Sequence, residues 1–559
     1  MLAAVLASAA PHVTQLQAQQ HAHEDSVAER TEWRAPPMPG RSMPVLPSLM
    51  GLTPPDAAWL PGEGIDPASL PEAVPGEVVE MADGDTLRIT AMRVRRTIRG
   101  QTLIMYGFNG QYPGPLIKVD RDATIYVHFS NEIDLPSTIH WHGVRVDNRF
   151  DGVPAVTQEP VEPGESFLYE VHLPDAGIYW YHPHVRTEIQ QDLGLYGNIM
   201  VRHPAADYFN PVNREQVLIL DDLLLDERGI FPYGAEGATQ ALMGRFGNLL
   251  LVNGEPEYRL QVSRGEVVRF FLTNVSNTRT FNLSFGGAPM KLVGADIGRF
   301  EREEMVESVP IGPAQRYIVE VYFREPGEYR FANRIQAIDV FRGEFYPRND
   351  TLGIVSVVDE PASEDHSAVF ERLREHPTVV SEIDAYRKQF ERPVDHEIVM
   401  SVRVGELPGI ILNLMAIDTL YKPPVEFNDV MPMMNFLSSE KNVTWILRDP
   451  ATGRENMDIH WRFEVGDVAK IRIFNDPRSF HPMQHPMHFH GQRFLVLARD
   501  GVPNDNLVWK DTVLVPVGSR VDILFEASNP GEWLAHCHIL EHVEAGMKMV
   551  LSVIPAIDP

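Results

Sequence analysis

The segment Trp533-Leu-Ala-His536-Cys537-His538-Ile-Leu-Glu-His542-Val-Glu-Ala-Gly-Met547 holds the one cysteine of the chain between two histidines. With no second cysteine in the chain, Cys537 is either an ordinary buried thiol or a metal ligand. Thiolate, imidazole and thioether are together the ligands of a blue-copper electron-transfer site, in which a methionine lies at longer axial distance. The composition of this segment therefore indicates a metal site.

The alternation His536-Cys537-His538 indicates that the segment serves two sites rather than one. Successive side chains of an extended strand point to opposite faces. Cys537 would then face one metal site, while His536 and His538 face another.

Three distant segments supply further histidines at strand spacing: His140-Trp-His142-Gly143, Tyr181-His182-Pro-His184 and His485-Pro-Met-His488-Phe-His490-Gly491. On a strand, a His-x-His pair places both imidazoles on one face, which suits a metal clamped between two strands. A single pair also occurs on ordinary strand surfaces and carries little weight. Four histidine segments in one chain predict a second, histidine-rich metal centre.

These four segments, in this order, resemble the copper-binding motifs of the multicopper oxidases, the family of laccases, ascorbate oxidase, ferroxidases and bacterial copper-efflux oxidases. The match spans residues 140 to 547. Within the family, the chain resembles the bacterial three-domain, laccase-like members. The resemblance implies an enzyme that takes single electrons from a donor and reduces dioxygen to water. It also implies four copper ions as cofactors.

Carried over by position, the resemblance implies a role for each ligand. The type 1 copper, which receives the electrons, would be bound by His485, Cys537, His542 and Met547. The type 2 copper would be bound by His140 and His488, and the type 3 pair by His142, His182, His184, His490, His536 and His538. His485 is preferred to His481 because only the second His-Pro-Met continues as His-x-His-Gly.

Proton delivery is less well specified by the resemblance. Bacterial relatives use two carboxylates, and Asp151 in Phe150-Asp-Gly matches the first of them. The second would follow His542 directly, where this chain has Val543. Glu544 and Glu541 are the alternatives, so the residues predicted to carry the chemistry are Cys537, His485, His542, Asp151 and Glu544.

The remaining sequence predicts an all-β fold of sandwich or barrel domains with a short helical linker, and the resemblance implies that these are three cupredoxin-like Greek-key domains. Apolar and polar residues alternate over 86–91, 123–129 and 166–172, between Pro-Gly turns. Many short strands at such spacing favour a sandwich or barrel. Pro-Gly-Glu recurs at 163–165, 326–328 and 530–532, which, with the resemblance, predicts three related domains.

We predict the first domain over 71–207, a second domain without copper over 208–358, and the third over 394–559. Residues 1–70 read as a tail that begins with a remnant of a secretory signal. The linker over 359–393 is predicted helical, with Pro377 interrupting it and these apolar residues at helical spacing: Val369, Phe370, Leu373, Ile383, Tyr386 and Phe390. Because copper ligands come from the first and third domains, the histidine-rich centre should lie at their interface.

Composition narrows the functional classes. A net charge of -28 argues against nucleic acid as a partner, because phosphates require a cationic surface. No stretch reaches the ~20 apolar residues needed to span a bilayer. Residues 1–10 resemble a secretory signal without its positively charged start. We therefore expect a monomer that works in the periplasm or outside the cell.

The axial Met547 predicts a modest type 1 potential and easily oxidised donors, such as phenols, aromatic amines or low-valent metal ions. An alternative is a metallo-oxidase. A cuprous-ion site could use methionines near the third domain, namely Met400, Met415, Met431, Met433, Met434, Met483 and Met487. A ferrous-ion site could use Asp505, Asp511 or Glu544. A copper carrier would not need this ligand set, and copper nitrite reductases usually have two domains.

Overall fold

The computed structural model describes residues 59–339, 344–405, 425–427 and 440–556 of the chain. Strands account for 52% and helices for 9% of the residues, which confirms the predicted all-β fold of three cupredoxin-type domains. Within these ranges, no helix has the length and apolar character needed to cross a membrane. Predictions for residues 1–58 lie outside the described residues.

The first domain consists of two packed sheets and a short helix. Its strands are β1 (Val78–Met81), β2 (Thr86–Ile98), β3 (Gln101–Phe108), β4 (Leu116–Asp120), β5 (Thr124–Glu132), β6 (His140–His142), β7 (Ser166–His172), β8 (Gly177–His182) and β9 (Gly197–Arg202), and its helix is α1 (Thr187–Gln190). The sheet orders are β1-β4-β9-β8-β6 and β3-β2-β5-β7. Residues alternate between buried and part-exposed along β5, so one face of that strand packs into the core.

The second domain repeats this sandwich without histidine motifs. Its elements are β10 (Arg214–Leu223), β11 (Leu225–Asp226), β12 (Gly229–Ile230), α2 (Gly237–Met243), β13 (Leu249–Val252), β14 (Tyr258–Arg264), β15 (Glu266–Asn274), β16 (Phe281–Phe285), β17 (Met290–Ala295), β18 (Arg299–Val306), β19 (Val309–Ile311), β20 (Arg316–Phe323), β21 (Gly327–Asp339) and β22 (Glu344–Pro361). The main sheets run β13-β10-β15-β20-β17-β18 and β14-β22-β21-β16-β19. β22 continues past the predicted boundary at residue 358.

The linker forms two helices, α3 (Ser367–Glu371) and α4 (Pro377–Arg387). Pro377 is the first residue of α4, where its missing N–H costs nothing, rather than a break inside one helix. Phe370 in α3 and Ile383 in α4 are buried. The prediction of helix at Leu373 was wrong, because α3 has already ended at Glu371, and the Leu373 side chain is 49% exposed.

The third domain carries most of the remaining elements. They are β23 (His396–Val404), β24 (Val425–Phe427), β25 (Val443–Arg448), β26 (His460–Glu464), β27 (Val468–Asn475), β28 (His485–Phe489), β29 (Arg493–Arg499), β30 (Val502–Pro503), β31 (Trp509–Lys510), β32 (Thr512–Val515), β33 (Arg520–Glu526), β34 (Gly531–Cys537), α5 (Leu540–Glu544) and β35 (Lys548–Ile554). The sheets run β25-β23-β27-β33-β29-β30 and β26-β35-β34-β28-β32. β24 instead joins the second domain's sheet beside β21.

Candidate metal centre

Cys537 lies in a compact group with two histidines. Its Sγ is 3.4 Å from Nδ1 of His485 and 3.9 Å from Nδ1 of His542, and the two Nδ1 atoms are 3.3 Å apart. All three side chains are buried, at 1% exposure or less. The backbone N–H of Ile539 donates to the sulfur at 3.3 Å. Three soft and borderline ligand atoms thus converge on one point, as a type 1 copper site requires.

Strand pairing brings these ligands together across the sequence. β28 begins at His485 and pairs antiparallel with β34, so that Met487 lies opposite Cys537. The chain then turns into α5, which carries His542. Met547 follows, is fully buried, and exchanges backbone hydrogen bonds with Cys537 and His542. Its place beside the group is consistent with the predicted axial position, which stays a prediction.

Burial controls the protonation of this group. It lowers the pKa of His485 to about 3, and burial, together with the repulsion that two protonated rings would feel, lowers the pKa of His542 well below its usual value. Both imidazoles are therefore neutral near pH 7 and can each offer a lone pair to a metal. Burial raises the pKa of the Cys537 thiol, so a nearby cation is needed to make it a thiolate.

Trp445 covers the two histidines of this group. Its ring stacks on His542 at 4.0 Å between centroids and meets the edge of His485 at 4.8 Å. Its indole N–H donates to the carbonyl of Ala241 in α2 at 2.8 Å. Sequence reasoning missed Trp445, because no spacing rule connects it to the histidine motifs.

The other eight predicted histidines form one buried cluster at the first and third domains. Their ligand atoms make three groups of three, each within 4.8 Å, and the first two groups share His142: His140, His142 and His488; His142, His182 and His538; His184, His490 and His536. In β6 and β8, His140 lies opposite His182, and in β28 and β34, His488 lies opposite His536. Cys537 belongs to a separate group, as the alternation in its segment predicts.

One ring nitrogen of most of these histidines is held by the protein. Carbonyl oxygens accept from Nδ1 of four of them at 2.7–2.9 Å, namely His140, His182, His488 and His536. A carbonyl can only accept, so Nδ1 carries the proton and Nε2 keeps its lone pair. The Nε2 atoms of His140, His182 and His488 are buried and have no hydrogen-bond partner among the described residues. Metal-binding histidines are oriented in this way.

The contact between His490 and His536 calls for a cation. Nδ1 of His490 donates to Asp151 Oδ2 at 2.9 Å, and Nδ1 of His536 donates to the carbonyl of Cys537. Their Nε2 atoms nevertheless lie 3.0 Å apart, so two lone pairs face each other. Burial lowers the pKa of both rings well below the usual value, which disfavours a shared proton. A metal ion between the two rings would remove the repulsion, so the donor set fits copper.

Asp151 lies inside the cluster, as expected for the first predicted proton carboxylate. It is fully buried, and its Oδ1 is 3.2 Å from Nδ1 of His140 while Oδ2 accepts from His490. Asp151 therefore touches histidines assigned to two different coppers. Its position is that of a residue that orients ligands, and its proton role stays a prediction.

Arg316 of the second domain and Asp511 of the third form an ion pair that supports the cluster. The sequence alone did not reveal this pair. Asp511 accepts two hydrogen bonds from Arg316, Nη1 to Oδ1 at 2.7 Å and Nη2 to Oδ2 at 2.6 Å. Its Oδ1 and the hydroxyl of Thr512 lie 3.2 and 3.1 Å from Nε2 of His142. In His142 it is therefore Nδ1 that has no hydrogen-bond partner in the part of the chain that the structure describes. Arg316 also donates from Nε to the carbonyl of Ile178, so it links all three domains.

The charge of this pair is fixed. Burial alone would raise the pKa of Asp511, but the guanidinium of Arg316 lowers it well below the usual value. The glycine of His-x-His-Gly is explained by the same pair. Gly143 has φ of +83°, and a Cβ there would lie 2.4 Å from Asp511 Oδ2 and 2.7 Å from Arg316 Nη2. Asp511 is thus occupied at the cluster, which removes it as a carboxylate for ferrous ions.

The other candidate residues lie elsewhere. Glu544 is exposed at the end of α5 and, with Glu541 and Glu188, lines a cavity of about 780 Å³. Glu541 is 7% exposed and accepts from the side chains of Asn277 and Thr278, and burial raises its pKa to about 7. The proton role of Glu544 stays a prediction.

The structure gives less support to the methionines predicted for a cuprous-ion site and to Asp505 predicted for a ferrous-ion site. Met400, Met483 and Met487 are buried in the third domain's core, where they fill space between apolar side chains. Met415, Met431, Met433 and Met434 lie outside the described residues. Asp505 is exposed and pairs with Arg302 at 2.9 Å. His481 is also buried, and burial lowers its pKa to about 3.

Comparison with known proteins agrees with this geometry. Three family models described as multicopper oxidase match residues 90–206, 202–346 and 428–556, together more than half of the chain. The chain belongs to the multicopper oxidase family. Copper is therefore the metal that the family implies for these ligand groups.

Curated relatives of this multicopper oxidase include fungal oxidases. It is 27% identical over 481 residues to laccase-2 of Fomitopsis schrenkii, covering 80% of this chain and 85% of the relative. It is 25% identical over 527 residues to the dihydrogeodin oxidase of Aspergillus terreus, covering 85% and 83%.

Solved structures show the same fold. A multicopper oxidase from Campylobacter jejuni, described as a metallo-oxidase, has a TM-score of 0.65 at 22% identity, covering 91% of this chain and 100% of that one. McoA from Aquifex aeolicus has a TM-score of 0.62 at 24% identity, covering 87% and 99%.

Proposed function

We propose that this multicopper oxidase is laccase-like: it takes single electrons from phenols or aromatic amines at the Cys537 site and reduces dioxygen to water at the histidine cluster. The observation that carries the proposal is that the segment His536-Cys537-His538 contributes ligand atoms to both metal sites. Cys537 faces His485 and His542, while its neighbours His536 and His538 enter two groups of the cluster. Two metal sites joined by adjacent residues suit an enzyme that collects electrons at one place and uses them at another.

Copper, when bound, supplies the one-electron redox chemistry that these side chains lack. His485, Cys537, His542 and Met547 would hold the type 1 ion. The eight cluster histidines would hold the other three. Peptide bonds connect Cys537 to both of its neighbours, so a covalent path joins the two sites.

The donor side of the site is sheltered from water. His485, Cys537 and His542 are buried, and Trp445 lies against both imidazoles. The cavity of about 780 Å³ borders α5, which carries His542, and Thr444, which precedes Trp445. Its volume suits a small organic molecule, and its wall includes the aromatic rings of Trp59 and Tyr233. These features, with the laccase among the relatives, support an aromatic donor.

The oxygen side is organised by buried carboxylates. Asp151 holds Nδ1 of His490, and Asp511 holds Nε2 of His142, so the ligand nitrogens are fixed before a metal binds. Both carboxylates are fully buried. Asp151 is the one that lies between ligands of different groups, and we infer that it holds protons on their way to reduced oxygen.

Oxidation of a metal ion is the alternative function. The observation in its favour is that the carboxylates of Glu188, Glu541 and Glu544 line the same cavity, since carboxylates bind hard cations. Arg186, Arg245 and Lys441 also line it and offset that negative charge. We therefore place the aromatic donor first.

Oxygen uptake by the copper-loaded protein tests the proposal. An electron-rich phenol, Fe(II) and Cu(I) are compared under identical conditions, and the phenol is expected to give the fastest uptake. Cys537→Ser and His538→Asn should each abolish it. His172→Asn is the matched control, because His172 lies on β7 with an exposed side chain. Faster uptake with a metal ion would replace the laccase-like assignment, and no uptake with any donor would refute the oxidase.

A further inference from the structure

A second cavity, of about 330 Å³, is lined by residues of all three domains and of the linker. Arg121 and His203 come from the first domain, Arg299 from the second, Glu382 from α4 and Arg493 from the third. None of the residues that line it belongs to either metal group. Its wall contains four arginines and one histidine but two carboxylates.

The two carboxylates are already paired. Asp175 lies 2.7 Å from Nη2 of Arg145, and Glu382 lies 2.9 Å from Nη1 of Arg493. Among the described residues that line the cavity, no carboxylate is then left to pair with the guanidinium groups of Arg121 and Arg299. Arg121 meets Asp122 at 3.6 Å on the exposed surface.

Arg299 shows the imbalance most clearly. It donates from Nη1 to the carbonyl of Tyr208, and its guanidinium lies 3.9 Å from the centre of the Tyr208 ring. Its Nε is buried without a hydrogen-bond partner, and within the described part of the chain Arg299 forms no ion pair. Burial lowers the pKa of Arg299, and so does the positive charge of Arg374, while Tyr208 and the exposed Asp207 offset this only in part.

His203 adds a neutral donor beside these charges. Its ring stacks on Tyr208 at 4.3 Å, and Nδ1 accepts from the backbone N–H of Ala205 at 3.0 Å. The neutral ring therefore carries its proton on Nε2, which can donate. Burial, and then the charges of Arg121 and Arg299, lower the pKa of His203, as expected where positive charge is in excess.

We propose that this cavity binds a phosphate-type oxyanion through the guanidinium groups of Arg121 and Arg299 and the imidazole of His203. Two guanidinium groups match the double charge of a tetrahedral phosphate, and guanidinium forks suit its oxygens. The volume exceeds what one phosphate needs, so the phosphate group of a larger metabolite also fits. The chain carries a net charge of -28, so its surface as a whole repels anions and binding depends on this local excess of positive charge.

Such a ligand would touch the first and second domains at once. A ligand that binds only the folded protein stabilises it in proportion to the logarithm of its concentration. Phosphate is therefore expected to raise the unfolding temperature as well as to bind. This inference is independent of the oxidase activity and of copper loading.

Calorimetric titration with inorganic phosphate, at constant ionic strength set with chloride, tests the site in the full-length protein. Saturable binding is expected, with about one phosphate per chain. Arg299→Gln and Arg121→Gln should each weaken it about ten- to a hundredfold, because each removes a charge-assisted hydrogen bond. The exposed Arg121 provides a variant that leaves the interior untouched. Arg259→Gln is the control, since Arg259 is exposed on β14 and pairs with Glu257.

The outcomes separate cleanly. Loss of affinity in the two cavity variants, with the parental affinity in Arg259→Gln, supports the site. An equal loss in all three variants would mean general electrostatic attraction and overturn the proposal. Absence of saturable binding in the parent protein, or unchanged affinity in both cavity variants, would overturn it as well.

Discussion

Replacing Asp511 with asparagine tests whether the second domain helps to set the copper cluster. The substitution keeps the shape of the side chain but removes the charge that faces Arg316. It also places an amide near Nε2 of His142, where a carboxylate oxygen now lies at 3.2 Å. An amide N–H pointing at Nε2 would move the ring proton to Nδ1. In the parent protein Nδ1 has no hydrogen-bond partner among the described residues and is the atom available to bind the metal.

Two costs follow from the structure. Removing one partner of a buried ion pair costs about 3–5 kcal/mol. Asp296 Oδ1 remains 3.6 Å from Nη1 of Arg316 and the amide oxygen can still accept one bond, so we expect about 3 kcal/mol in unfolding free energy. Outer partners of metal-bound histidines typically affect metal affinity about 10- to 100-fold. We expect the copper affinity of the histidine cluster to fall by about this factor and the copper affinity of the Cys537 site to stay unchanged.

The assay is a copper titration against a competing chelator, with the blue thiolate absorption followed in parallel. Asp522→Asn is the matched control, because Asp522 also binds an arginine through both oxygens, with Arg472 at 2.7 and 2.8 Å. That control should keep its copper. Parental copper affinity in Asp511→Asn would refute the tautomer argument, and equal losses in both variants would show that any lost ion pair has the same effect.

Three further predictions concern stability. Gly143→Ala should lower the denaturant midpoint more than Gly164→Ala, because both glycines have positive φ but only Gly143 would place its Cβ against the Asp511 and Arg316 side chains; equal shifts would show that backbone strain alone matters. Trp445→Ala should cost about 3–5 kcal/mol in unfolding free energy, as large core truncations do, and an unchanged urea midpoint would contradict its packing against His542. In the metal-free protein, buried His481 and His485 should each lower the unfolding free energy as the pH falls from about 6.5 to 3, because these histidines bind protons there in the unfolded chain but not in the folded one, where their pKa values are lowered to about 3. Each contributes about 1.4 kcal/mol per pH unit. Glu188 and Glu541, with pKa values raised to about 8 and 7, have the opposite effect above pH ~4.5, because there they bind protons in the folded protein but not in the unfolded chain. We therefore expect the steepest loss of unfolding free energy between pH ~4.5 and ~3. Urea unfolding at each pH measures this profile, and a flat profile in that range would refute the linkage.

The sequence predicted the features that depend on local spacing. Residues 166–172 alternate and form β7 with those bounds. The His-x-His pairs predicted two imidazoles on one strand face, and β6 places His140 and His142 in this way. The alternation around Cys537 predicted two separate groups because it reflects a property of any extended strand.

Features that depend on distant contacts could not be predicted. Arg316 and Asp511 are 195 positions apart and belong to different domains, and neither lies in a recognisable motif. The glycine of His-x-His-Gly was recognised by resemblance alone, and its physical reason is visible only once this pair is placed beside it. Leu373 failed for a related reason, since helical spacing does not show where a helix ends.

Copper content and visible absorption, measured on Cys537→Ser and His538→Asn, test the central claim that one segment serves two metal centres. We predict that Cys537→Ser loses the blue absorption and keeps the cluster's copper, while His538→Asn keeps the absorption and loses cluster copper. Loss of both properties in both variants, in protein that remains folded, would contradict the division of the segment between two sites.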